Sequence, residues 1–417
     1  NRPRRQKEEM KFRNIIVFHI VLALGFWVAA SAESPVRPGD RVAIVGNTYA
    51  DQLRIHGYLE TLLLQRSGDE PVSVRNFGWG GDLIHLRDRP TNFPSEASTL
   101  ESHKTDVIVI CFGMGESFAG KAGLSDFRSH AKRFIAAHKG KKYNGESPVR
   151  IVLVSPIAQE DHGELSPNRK QRNDDLAAYV GAMQQVAVAE SIPFVDLYAP
   201  TLYLMDDKAS PKLTEQGIHL NAYGYWATGR MVADKLMPGQ PTWWLSVDAK
   251  SRKATARGAK LSAVKQQGRG LRFTVQEISP PGLVPPVEGK IHDTLAPTRD
   301  TLVVSNLAPG QYLLTVDGEP VAEGSHLQWA EGIAVDASPA HKAAEVYRQQ
   351  VNDKNQQFTY SWKALNQVHI VGERRSSPSG KSLPEEVIAF RKLAEQRDLA
   401  LKAGIELKTR EWRIQPQ

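Results

Sequence analysis

The chain has 417 residues, 41% hydrophobic and 24% charged, with a formal net charge of +7; this composition excludes collagen-like and low-complexity chains and fits a globular protein of two or three domains. Residues 1–32 hold six of the 53 Lys/Arg and two of the 46 Asp/Glu, leaving 47 basic against 44 acidic residues. The basic excess is therefore no argument for nucleic-acid binding, and no Lys/Arg run interleaved with aromatics supplies one.

In chain order, Ile15 to Ala30 is almost wholly apolar, follows Lys11 and Arg13, and ends at Ala30-Ser31-Ala32. A basic region, a short apolar region and an A-x-A site in that order predict a secretory signal peptide, cleavage after Ala32 and a periplasmic or extracellular destination. The apolar run is shorter than the roughly 20 residues that span a bilayer, so no stable span is expected after cleavage; an uncleaved anchor is the alternative. Met10 fits a true start, with Asn1 to Glu9 as an upstream extension.

From Arg41 to Leu236 strands alternate with helices. Short apolar runs at Val42–Val45, Val72–Phe77, Val107–Phe112, Arg150–Val154 and Pro193–Leu197 predict buried parallel strands, and Asp51–Gln65, Phe127–His138, Asp174–Ala189 and Ala222–Leu236 have helical spacing. Such a sheet is covered by helices on both faces, and its sites lie beyond the strand C-termini. The only cysteine, Cys111, sits inside one of these runs. It predicts a buried apolar residue and no internal disulfide. With no Cys/His cluster and no H-E-x-x-H, neither a metal site nor a cofactor is expected.

After Pro238 the pattern shortens to alternating segments such as Leu271–Val275 and Gln311–Val316, the latter followed by Asp317-Gly318 and Pro320–Glu323, which predicts a hairpin. Helical spacing returns over Pro339–Lys354 and from Pro384 to about Lys402, with an aromatic stretch Phe358–Val371 and a polar loop Glu373–Ser382 between them. The expected organisation is a leader at 1–32, an α/β domain at 33–238, a β-rich module at 239–338 and a mainly helical region at 339–417. Roughly 200 residues suffice for one core, so the α/β domain is expected to survive truncation near Pro238 better than the tail survives alone.

Four segments fall at the ends of predicted strands or in a loop able to reach them: Gly46-Asn47-Thr48-Tyr49, Asn76-Phe77-Gly78-Trp79-Gly80-Gly81-Asp82, Phe112-Gly113-Met114-Gly115-Glu116, and Thr214-Glu215-Gln216-Gly217-Ile218-His219-Leu220-Asn221. In this order they resemble the sequence blocks of the SGNH/GDSL hydrolases, which are esterases and acyl hydrolases. The chain resembles a divergent exported branch in planctomycete-type bacteria that carries a C-terminal extension. The resemblance implies a three-layer α/β/α, flavodoxin-like domain with a parallel sheet, here followed by a small antiparallel β module and C-terminal helices.

It also implies roles for particular residues. Thr48 stands at the nucleophile position, where the family has serine, and its methyl group restricts χ1 and crowds attack; as a bland alternative it caps the following helix. Gly81 stands where a backbone N–H joins the oxyanion hole, together with the Thr48 N–H. Gly115 replaces the asparagine that donates to the oxyanion, so only its N–H or a water is left there, and losing one such donor typically costs about 10²–10³ in rate. Glu116 is expected to accept bonds from loop N–H groups. His219 matches the base, while Gln216 stands at the aspartate position that would orient it, with Glu215 one residue earlier.

The reading is an exported ester hydrolase acting on a small-molecule or carbohydrate ester, for example a carbohydrate deacetylase, with Thr48 attacking and His219 as base. The rival is a catalytically inactive binding protein that kept the cleft, for instance for glycans, with Trp79, Trp226 and Trp362 as stacking surfaces.

Overall fold

The computed structural model describes residues 33–89, 93–239, 242–366 and 376–417. The leader, with its predicted cleavage site and Met10, lies outside them, as do 367–375 of the aromatic stretch and polar loop.

Five short strands build the first sheet: β1 (Arg41–Gly46), β2 (Ser73–Asn76), β3 (Val107–Cys111), β4 (Arg150–Val154) and β5 (Phe194–Val195), in the order β2-β1-β3-β4-β5. Every pairing is parallel. β3 is buried at all five positions, as expected for a strand with both faces covered. The alternation is visible in β1: Val42 and Ile44 pack into one core, Ala43 and Val45 into the other.

The first core is closed by α1 (Thr48–His56), α2 (Tyr58–Arg66) and, later in the chain, α6 (Tyr198–Asp206) and α7 (Ala222–Leu236). The second is closed by α3 (Glu96–His103), α4 (Leu124–His138) and α5 (Arg169–Glu190). This is the expected three-layer arrangement in flavodoxin-like strand order. The single helix expected over Asp51–Gln65 is two, because Gly57 ends α1 with φ 67°, a conformation that L side chains rarely adopt.

Beyond α7 lie two further sheets. β6 (Trp244–Asp248), β7 (Ala254–Arg257), β10 (Thr301–Ser305) and β13 (Ile333–Ala334) pair in the order β13-β10-β6-β7, whereas β8 (Ala259–Gln267), β9 (Gly270–Glu277), β11 (Gln311–Val316), β12 (Glu319–Ser325) and β14 (Thr409–Pro416) pair as β12-β11-β14-β9-β8. The expected hairpin is β11–β12, with Asp317 and Gly318 both at positive φ. The module is antiparallel except for β6 and β10, which run parallel. The two sheets share a core containing Leu245, Val304, Phe273, Leu314, Trp329 and Trp412.

Two features depart from the sequence expectation. The C-terminal region ends in a strand, β14, inserted between β9 and β11. Its Trp412 and Ile414 face the core between polar neighbours, a period-2 pattern. And the helices α8 (His326–Glu331), α9 (Pro339–Trp362) and α10 (Pro378–Leu401) are not a separate tail. Tyr347 and Val351 of α9 and Leu401 of α10 belong to the first α/β core. Lys354, fully buried, donates to Glu60 Oε1 at 2.5 Å and to the Val74 carbonyl at 2.8 Å, and Asn355 donates to the other Glu60 oxygen at 2.8 Å. Among the described residues no helix is long and apolar enough to cross a membrane.

Candidate functional site

The loop after β1 is fixed from both sides. Asn47 N–H donates to the Cys111 carbonyl at 3.1 Å, and Asn47 Oδ1 accepts from Tyr49 N–H at 3.0 Å. Asn47 is therefore the N-cap of α1 and Thr48 its first residue. The bland alternative for Thr48 fails: capping is done by the asparagine one position earlier, and the threonine hydroxyl is free of that duty. A helix N-terminus also leaves N–H groups without intrahelical acceptors, and Thr48 N–H has no acceptor among the described residues.

The second loop is held by Asn76, which donates to the Ala50 carbonyl at 2.6 Å and accepts from Gly78 N–H at 2.8 Å, while Trp79 N–H reaches the Gly46 carbonyl at 2.9 Å. These bonds press the loop against α1 and deliver Gly81, at φ 87°, to the cleft. That conformation suits glycine. Glu116 joins the second loop to the third, as expected. Its buried carboxylate accepts from Gly113 N–H at 2.8 Å and Ile84 N–H at 2.7 Å. Burial pushes its pKa up, and these two N–H groups pull against that. Like Thr48 N–H, the N–H groups of Gly81 and Gly115 have no acceptor among the described residues. The space an asparagine side chain would need at Gly115 is occupied: a Cβ there would lie 2.5 Å from Leu83 Cδ2.

The histidine loop is anchored by a residue that the sequence reading missed. Glu160, 1% exposed, accepts from Leu213 N–H at 3.2 Å, Thr214 N–H at 2.8 Å and the Thr214 hydroxyl at 2.7 Å, and its own N–H donates to the Gly217 carbonyl at 2.8 Å. Thr214 Oγ1 in turn accepts from Gly217 N–H at 3.0 Å. Asn221 caps α7, accepting from Gly224 N–H at 2.9 Å. The loop thus has little freedom at either end, and it presents His219 at the cleft. The side-chain amide of Gln216 lies 2.7 Å from His219 Nδ1. Glu215 meets the histidine only through its backbone, its N–H donating to the His219 carbonyl at 2.9 Å.

Thr48, Gly81, Gly115 and His219, drawn from four separated segments, line one cleft of about 180 Å³ at the C-terminal end of the sheet. Its other walls are largely apolar: Tyr49, Leu83, Phe112, Met114, Ile157 and Tyr225. The sequence reading missed these walls because they come from loops with no motif. Ser155 also lines the cleft, but its hydroxyl oxygen accepts from Leu197 N–H at 2.8 Å and Tyr198 N–H at 3.2 Å, which ties it to the turn after β5. Cys111 is buried beside the cleft, and burial pushes its thiol pKa well up, so it is a poor nucleophile. Among the described residues no group of three or more His, Cys, Asp or Glu gathers as a metal set.

The tryptophans expected as stacking surfaces are packing residues. Trp226 is buried and its indole N–H donates to the Leu283 carbonyl at 2.7 Å; Trp362 is buried against Phe77, Phe93 and Trp79. None of the three lines the cleft.

Comparison with known proteins follows this geometry. A model of the GDSL-like lipase/acylhydrolase family matches residues 39–227. Among solved structures, BT4096, described as a gut microbial diltiazem-metabolizing enzyme, superposes with a TM-score of 0.67 at 18% identity, covering 92% of this chain and 99% of that one. It shares the fold of the β module and C-terminal region as well. A catalytic mutant of the acetylxylan esterase Axe2 from Geobacillus stearothermophilus covers 48% of this chain and 96% of its own at 14% identity and a TM-score of 0.37. A lipase/acylhydrolase from Enterococcus faecalis covers 47% and 95% at 18% identity and a TM-score of 0.34. No curated protein matches.

Proposed function

We propose, from the match of residues 39–227 to a model of the GDSL-like lipase/acylhydrolase family, that the protein is an exported hydrolase of esters with small acyl groups, working through Thr48 and His219. The observation that supports this is that Thr48, Gly81, Gly115 and His219 line one cleft, the N–H groups of the first three having no acceptor among the described residues. Thr48 and His219 are not hydrogen-bonded to each other, so the attack requires a side-chain adjustment or a bridging water. In this reading Thr48 Oγ1 attacks the ester carbonyl and His219 takes its proton. The carbonyl oxygen becomes an oxyanion facing the N–H groups of Thr48 and Gly81, with Gly115 N–H as third donor. Collapse expels the alcohol, protonated by His219, and leaves an acyl group on Thr48. Water, deprotonated by the same imidazole, then releases the acid.

The cleft volume of about 180 Å³ limits the acyl group to something small. A cavity of roughly 150 Å³ with apolar walls holds one benzene. An acetyl or short-chain acyl group fits, and an acetylated carbohydrate is a substrate of that kind. Export rests on the basic, apolar and A-x-A order of the leader. The site is weakened relative to the family it resembles at three positions, Thr48, Gly115 and Gln216, so slow turnover is expected. The test is hydrolysis of p-nitrophenyl acetate by the purified chain and its Thr48→Ala and His219→Ala variants. Turnover above buffer that both variants abolish supports the reading. The absence of turnover would favour a binding protein that retained the cleft.

A further inference from the structure

Between Asp248 and Glu277 the chain carries eight Lys/Arg and no acidic residue. This stretch forms the β6–β7 turn, which holds Lys250, Arg252 and Lys253, then β7 and β8, the edge strands of the two C-terminal sheets, and runs into β9. Lys250, Arg252, Lys253, Arg257, Lys260 and Lys265 are exposed, and none has an ion-pair partner among the described residues. Only Arg272, which pairs with Glu411, and Arg269, which donates to the Pro309 carbonyl at 2.7 Å, are engaged.

The backbone is shaped to present these cations. Ala259 and Leu261 of β8 face the core, and strict alternation would turn Lys265 inward as well. An irregularity between Ser262 and Lys265, with Ala263 at φ 51°, shifts the register by one residue. Lys265 then lies opposite the exposed Arg272, on the outward face with Lys260. A bulge that re-aims one side chain is a recognised use of that element. On the neighbouring sheet Arg257 lies opposite Trp244, which is 40% exposed.

Charged residues on edge strands also block edge-to-edge pairing. That purpose is served by one or two lysines on each edge. It requires neither a stretch this long without an acid nor an exposed indole beside the charges. An indole face matches the apolar face of a sugar ring, and the exposed Ser251, Thr255, Ser262 and Gln267 offer partners for sugar hydroxyls. No large apolar residue is exposed between 249 and 276, so the surface has no wedge to bury in a lipid bilayer. One indole is not the series of stacking platforms that single-stranded nucleic acid uses.

We propose that the β6–β7 turn and the β7–β8 ribbon bind an acidic polysaccharide, its carboxylate or sulfate groups pairing with the six unengaged cations and a sugar ring stacking on Trp244. The proposal goes beyond the Thr48–His219 chemistry and does not depend on it.

The test is calorimetric titration of the full chain with heparin and with polygalacturonate, dextran serving as the uncharged control, at low and high salt. Binding to the acidic polymers and not to dextran, weakening as salt rises, is expected. Lys260→Ser/Lys265→Ser should lower affinity by on the order of five-fold for each cation, as for Lys and Arg at an anionic surface. Trp244→Ala should weaken binding without changing the salt slope, and Thr48→Ala should leave it unchanged. If Trp244→Ala unfolds, the exposed lysine pair decides alone. No affinity for either acidic polymer at low salt, affinity unchanged in the lysine variant, or tighter binding to single-stranded DNA or phosphatidylserine vesicles would overturn the proposal.

Discussion

Gln216 holds its side-chain amide 2.7 Å from His219 Nδ1, where the family has a carboxylate. A carboxylate only accepts, so it forces the ring proton onto Nδ1 and leaves the Nε2 lone pair for the nucleophile. An amide can present either end. With its NH₂ toward Nδ1, the ring proton sits on Nε2 and His219 cannot take a proton there. Turned over, its oxygen accepts from Nδ1–H and leaves Nε2 free for the proposed base role. Gln216 therefore permits the productive tautomer without enforcing it, and it brings no charge to stabilise the imidazolium.

Gln216→Asp should raise kcat at least ten-fold with little change in KM. The opposite exchange in a serine protease, aspartate to asparagine, lowers kcat by about 10⁴, which sets the upper limit. Steady-state kinetics on p-nitrophenyl acetate checks this. A variant no faster than the parent would show that tautomer control does not limit the reaction.

Leu83 fills the space that a side chain at Gly115 would need. Gly115→Asn alone is therefore expected to displace the Leu83 side chain and to gain less than it would with that space cleared. Combined with Leu83→Ala, it should add an oxyanion donor and raise kcat by up to about 10²-fold. The two substitutions should be strongly non-additive, because they share one space. Rates from the four members of this cycle measure that coupling.

The buried Glu60–Lys354 pair joins α2 to α9 and argues against independent folding of residues 33–238. That fragment would leave the Glu60 carboxylate buried without its cation and would expose the core surface covered by Tyr347, Val351 and Leu401. It should fail to unfold cooperatively. In the full chain, Lys354→Met should cost about 3–5 kcal/mol, and Glu60→Leu/Lys354→Met should recover part of that loss. Urea denaturation of the three proteins is the measurement.

His56 stacks on Tyr225, with ring centroids 4.4 Å apart, and the pKa of the imidazole is lowered from 6.5 to about 4 by burial and the nearby Arg348. The unfolded chain binds this proton more readily than the folded one, so the contribution is intact above pH 6.5 and is lost as pH falls toward 4. Because the ring is only partly buried, solvent screens this contribution, and the loss should be on the order of 1–2 kcal/mol. His56→Phe keeps a ring against Tyr225 and removes the titration. Its stability should fall less between pH 7 and pH 4 than that of the parent, as read by denaturant midpoints.

The fold was legible because the strands of the first sheet are buried on both faces. Runs such as Val107–Cys111 therefore stand out from the amphipathic helices between them. The four site segments were legible because each ends a strand or precedes a cap, where turn chemistry constrains residue type. What escaped was long-range. Glu160 sits in a loop without a motif, and its importance comes only from the Thr214 and Gly217 groups that folding brings to it. The Glu60–Lys354 pair is invisible for the same reason. β14 was within reach: Glu411-Trp412-Arg413-Ile414-Gln415 alternates as a strand should, but it follows a long helix and its partners lie more than 90 residues away. The β-bulge at Ala263 left no signal in the local sequence beyond the misplaced inward register of Lys265.

The most direct test of the central claim is capture of the acyl-enzyme. The protein is quenched in acid within the first turnover of p-nitrophenyl acetate, digested, and analysed by mass spectrometry. The account predicts one added acetyl group on the peptide containing Thr48, absent from Thr48→Ala and slow to form in His219→Ala. Turnover with acetyl on another residue, or with none trapped while Thr48→Ala keeps the parent rate, would contradict it.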